Sequence, residues 1–155
     1  MVDQADEGNF HFELPMGTPE IERCIPHRYP FLLIDRVLAY SVGEYIHATK
    51  CISISDGILQ GHFPGDPVVP GVIIVEGMAQ ASAVLGRLTS KTESAACLLM
   101  EIQQSRFRRK VVPGDTLDYF VRIVKSRGNF LWFEGEAKVE GELATSCKFS
   151  AKIGD

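Results

Sequence analysis

The chain has 155 residues, a size usual for one domain, and 45% of them are hydrophobic, which supplies a core of its own. A formal net charge of −4 at pH 7 excludes nucleic-acid binding through general basicity, so any basic partner surface has to be a local patch. The four cysteines, Cys24, Cys51, Cys97 and Cys147, form no Cys-x-x-Cys pair and no zinc-finger spacing; they fit free thiols in a reducing cytoplasm and are assigned no chemistry.

The first residues, MVDQADEGNF, are acidic and carry neither a basic nor an apolar stretch. They predict a flexible tail over 1–17 rather than a signal peptide, followed by a single domain over 18–155. In GTPEIERCI, Thr18 stands as N-cap, Pro19 at the first helical position and acidic residues in the first turn, the pattern of a short helix. PFLLIDRVLAY predicts a first strand and EYIHATKCISI a second, whereas SISDGILQGHFPGDPVVPG is too rich in Gly, Pro and Asp for regular structure.

Next, VIIVEGMAQASAVLGRL predicts one long helix starting near Pro70-Gly71, and residues 97–112 read as extended. PGD turns the chain into a strand in which Leu117, Tyr119, Val121 and Ile123 share a face, and FLWFEGEAKVE repeats the period with Leu131, Phe133, Ala137 and Val139. A last strand turns Leu143, Thr145, Cys147, Phe149, Ala151 and Ile153 inward. Five or so strands joined by short turns predict an antiparallel sheet with one apolar face, hence an α+β fold in which the long helix covers that face.

That helix is apolar or small at nearly every angular position, as in a helix buried on all sides. The run Val68 to Leu88 still contains Glu76, Gln80 and Arg87, which predicts no membrane span. Glu76 and Gln80, at i and i+4, project from the same side. A buried carboxylate is costly unless paired, hydrogen-bonded or protonated, so Glu76 has either a function or a place in a satisfied structural network. Just upstream, GHFPGDPVVPG sets His62 in a rigid turn before a helix N-terminus whose free N–H groups hold developing negative charge. Histidine, carboxylate and oxyanion donors together make a proton-transfer site. His11, His27 and His47 read as structural.

With PHRYPFLLIDRV at 26–37, GHFPGDPVVPGVIIVEGMAQ at 61–80 and RFRRKVVPGD at 106–115, the chain resembles the 3-hydroxyacyl-[acyl carrier protein] dehydratases of type II fatty acid synthesis. The resemblance runs from about Ile21 to Ile153. It implies the hotdog fold, a long helix wrapped by an antiparallel sheet, and a homodimer, with three dimers making a hexamer. It implies further that His62 of one subunit meets Glu76 of the other at the mouth of an acyl tunnel. There neutral His62 would take the C2 proton and a buried, protonated Glu76 would release the C3 hydroxyl as water. Gly71 would polarise the carbonyl through its backbone N–H, and Gln80 would orient Glu76 or serve as a structural amide. The reaction calls for no metal or organic cofactor.

The basic cluster Arg106, Arg108, Arg109 and Lys110 either meets an acidic carrier protein bearing the substrate on phosphopantetheine or forms a solvated strand face. Glu76 stands where a related double-bond-isomerising type carries Asp, which favours dehydration alone. Leu98 and Gln103 depart from the aromatic residue and the "ID" frequent in the family, at positions tied to tunnel gating and loop contacts. A hotdog thioesterase and a catalytically silent acyl-binding dimer are the rival readings; the HFPG histidine argues against the first, and the polar pair on the core helix against the second.

Overall fold

The computed structural model of the chain describes residues 11–90 and 96–154. A short helix α1 (Thr18–Cys24) is followed by strands β1 (Arg36–Ser41) and β2 (Tyr45–Cys51), the long helix α2 (Gly71–Thr89), and strands β3 (Cys97–Phe107), β4 (Thr116–Arg127), β5 (Phe130–Val139) and β6 (Glu142–Ile153). The strands form one sheet in the order β1-β2-β4-β5-β6-β3, with every neighbouring pair antiparallel. This is the α+β hotdog arrangement: α2 lies against the apolar face of the sheet.

Register explains how the helix fits. Ala48, Tyr119, Ala137 and Thr145 face one another in successive strands, and all four are buried. The large Tyr119 in that row is accommodated by Gly77 of α2, where a Cβ would collide with the Tyr119 hydroxyl. Ile74, Met78, Ala81, Val84 and Leu85 complete the helix side of the core. Burying each Ile, Met, Val or Leu contributes roughly 1.5–3 kcal/mol, so this seam is a substantial part of the core's contribution to stability. By length and composition α2 could cross a membrane, yet 72% of that stretch is buried inside the fold. Its apolar character therefore serves the core.

Several elements differ from the sequence expectation. The cap of α1 is Gly17, not Thr18; the Glu20 carboxylate, three residues on, accepts the Gly17 N–H at 2.8 Å, so the acidic first turn caps the helix from inside. β1 begins at Arg36 rather than near Phe31 because the Gln80 amide satisfies the backbone before it. Leu33 N–H donates to Gln80 Oε1, and Gln80 Nε2 donates to the Phe31 carbonyl, both at 2.8 Å. Part of the expected tail is packed: Phe12 and Met16 are buried, and Met16 bridges Val37. Residues 1–10 of that tail lie outside the described residues.

The sheet has six strands, and α2 is not buried on all sides. Val72 is 71% exposed, while Ile73, Glu76 and Ala79 are half-buried, because the sheet of one chain wraps only part of the helix. β3 pairs with β6 on one side alone and exposes Leu98, Met100, Ile102 and Phe107. An unpaired, apolar edge strand of this length is a template for pairing with another strand.

Candidate active site

His62 ends a tight turn, its N–H bonded to the Leu59 carbonyl and its own carbonyl accepting Val68 N–H at 2.9 Å. The ring stacks on Phe63 at 4.1 Å, and Nδ1 lies 2.7 Å from the Val68 carbonyl. A carbonyl oxygen only accepts, so Nδ1 carries the hydrogen and, in the neutral ring, the lone pair is on Nε2. His62 lines a cavity of about 530 Å³ with Val69, Gly71, Val72, Phe107 and Arg108. Gly71 opens α2, where the first N–H groups have no partner within the helix. It has to be glycine because the Phe107 ring lies across it, 2.5 Å from where a Cβ would stand. His62 and the N-terminus of α2 thus share one cavity.

Glu76 and Gln80 lie together further along α2, one turn apart. Gln80 is 1% exposed; besides its two bonds to the 31–33 backbone, its Nε2 donates to Glu76 Oε1 at 3.0 Å. Glu76 lines a second cavity of about 120 Å³ with His27, Cys97 and Leu98. The side chain is 24% exposed, so within one chain Glu76 is less buried than the helix pattern predicts. Burial, and after it the negative charge of Glu76, pushes the Cys97 thiol up to about 12. His62 and Glu76 of the same chain line separate cavities.

His27, read from the sequence as structural, belongs to the Glu76 cavity, with Nε2 3.7 Å from Glu76 Oε1. No local spacing signals this, because His27 reaches α2 only through the loop that Gln80 holds. His47, by contrast, pairs with Asp118 at 2.7 Å under the Phe120 ring.

The four residues of the basic cluster have different roles. Arg109 is tied to Asp115 at 2.8 Å and to Glu142 at 3.0 Å. Burial raises the Asp115 carboxyl, but hydrogen bonds from Arg109 and the Val112 N–H outweigh it and hold the group below its usual range. Arg109 therefore anchors the turn before β4. Lys110 lies 3.5 Å from Asp66, both well exposed. Arg106 and Arg108 are exposed and have no ion-pair partner among the described residues. They line a groove of about 760 Å³ on the outer face of the sheet, and Arg108 also borders the His62 cavity.

The FabA-like domain model matches residues 25–148. The chain is 43% identical over 146 residues to a 3-hydroxyacyl-[acyl-carrier-protein] dehydratase FabZ of Nitratiruptor sp., covering 90% of this chain and 99% of the relative. It is 47% identical to the enzyme of the same name from Shewanella frigidimarina, covering 86% and 89%. Among solved structures, the dehydratase heterocomplex ApeI:P from Xenorhabdus doucetiae superposes with a TM-score of 0.77 at 24% identity over 93% of each chain, which shows the shared fold. On the extent of these matches, the chain belongs to the FabA-like family and, within it, to the 3-hydroxyacyl-[acyl-carrier-protein] dehydratases.

Proposed function

We propose that the chain dehydrates (3R)-3-hydroxyacyl-[acyl carrier protein] to the trans-2-enoyl form in fatty acid biosynthesis, as a cytoplasmic hydro-lyase. Relatives at 43% and 47% identity with that name support the reaction. The observation that carries it in this chain is His62: its Nδ1 is occupied by the Val68 carbonyl, and its free Nε2 shares a cavity with the start of α2. Nε2 takes the C2 proton while the thioester oxygen gathers charge on the Gly71 N–H. The C2–H pair becomes the C2=C3 bond, the C3–O bond breaks, and Glu76 supplies the proton with which hydroxide leaves as water. Base, acid and polarised carbonyl complete the balance without a metal or redox cofactor.

Glu76 comes from the partner subunit in this reading. The separate cavities of His62 and Glu76, the open face of α2 and the unpaired apolar edge of β3 support a dimer in which each site draws on both chains. Three such dimers would make the hexamer. Phosphopantetheine enters beside Arg108, and the carrier protein docks on Arg106, Arg108, Arg109 and Lys110, with Arg108 contributing most because it has no ion-pair partner among the described residues and borders the His62 cavity. Supplying a 3-hydroxyacyl carrier-protein substrate and measuring both enoyl product and free thiol tests the reaction. Enoyl formation without thiol release is expected; thiol release would favour a thioesterase, and neither product a silent binder.

A further inference from the structure

We infer that His27 is a positioning residue for Glu76: its Nε2–H, together with the Gln80 amide, fixes Oε1 as the acceptor oxygen and so leaves the transferable proton on Oε2. The inference rests on the reading of Glu76 as the acid. His27 Nδ1 is buried and has no hydrogen-bond partner among the described residues, while Nε2 lies 3.7 Å from Glu76 Oε1. Of the two neutral tautomers, the Nδ1–H form would bury an unpaired donor and turn the Nε2 lone pair toward an acidic oxygen. The Nε2–H form points its donor at that oxygen and is favoured. A separation of 3.7 Å is longer than a hydrogen bond, but catalytic contacts commonly tighten only when substrate is bound.

The second donor converges on the same atom. Gln80 Nε2 donates to Oε1 at 3.0 Å, and Gln80 is itself held by the backbone of Phe31 and Leu33, so its direction is fixed. A protonated carboxyl has one carbonyl-like oxygen and one hydroxyl oxygen. The Gln80 N–H bonded to Oε1, joined by the His27 Nε2–H once that 3.7 Å contact tightens, makes Oε1 the carbonyl-like oxygen, and the hydroxyl proton then sits on Oε2. The other titratable group in this cavity, Cys97, keeps its proton and does not compete. Arg28, next in sequence, turns away and donates to the Ile25 and Glu22 carbonyls.

The test compares His27→Gln, which keeps an N–H donor, with His27→Phe, which keeps a flat ring and loses it. For His27→Phe, kcat is expected to fall by about tenfold or more with KM within about twofold, while His27→Gln recovers most of that loss. Thermal unfolding of both variants, run beside the assays, identifies any loss that comes from misfolding. Equal kcat for the two variants, or a loss carried by KM alone, would overturn the inference. Glu76→Gln in the same assay separates the two levels. If Glu76→Gln keeps turnover, the acid reading falls; if it is inactive while His27→Phe keeps wild-type kcat, only the role of His27 falls.

Discussion

The proposed role of His62 as base rests on one of its two nitrogens being already occupied. The Val68 carbonyl, 2.7 Å from Nδ1, fixes the tautomer, and the backbone bonds of the Leu59-to-Val68 turn fix the ring position. Replacing His62 by Ala removes one side-chain hydrogen bond, worth about 0.5–1.5 kcal/mol net, which is small against the stability of a domain this size. The chemical loss is larger, since a positioned general base contributes about 10²–10⁴-fold. His62→Ala is therefore expected to lower kcat by at least about a hundredfold while the melting temperature moves by only a few degrees. Steady-state assays beside thermal unfolding check this, and near-wild-type turnover in the folded variant would remove His62 from the reaction.

At the scale of elements, α2 fills the sheet with Ile74, Met78, Ala81 and Leu85 and carries Glu76 on the side that the sheet leaves partly open. Both were legible in the sequence to different depths. The alternation of Leu117, Tyr119 and Val121 announces a strand with one buried face, and the continuous apolar run after Gly71 announces a core helix, because burial selects residue type directly. What the sequence could not show was the early end of regular pairing before β1, since the Gln80 amide that satisfies Phe31 and Leu33 comes from a distant part of the chain. His27 was missed for the same reason: its partner on α2 is set by tertiary packing, not by spacing. The unequal roles within RFRRK were also hidden, because they depend on Asp115 and Glu142 reaching Arg109. Close packing also makes a stability prediction. Gly77→Ala drives a methyl into Tyr119, which is fully buried and has nowhere to move, so it should destabilise the fold by about 1–3 kcal/mol despite the better helix propensity of Ala. Chemical denaturation measures this; unchanged stability would mean that the ring can yield.

For the whole molecule, the proposed shared site makes one chain incomplete by itself. Its β3 edge exposes Leu98, Met100, Ile102 and Phe107, its core helix leaves Val72 and about a quarter of the Glu76 side chain uncovered, and His62 and Glu76 line different cavities. A second copy seated on the edge of β3 would cover the apolar strand and bring the second chain's residues to the first chain's cavities. A mixed dimer separates this from a site made within one chain. In the proposed mechanism, chains bearing His62→Ala are expected to be inactive for lack of a base, and chains bearing Glu76→Gln for lack of an acid. In a dimer of one of each, a composite arrangement pairs the intact His62 of the second chain with the intact Glu76 of the first, while the other site loses both groups. Purified mixed dimers should then recover about half of the wild-type activity per dimer, provided that the two sites act independently. If each site drew both residues from the same chain, no combination would restore a complete pair, and mixed dimers as inactive as either parent would refute the shared site.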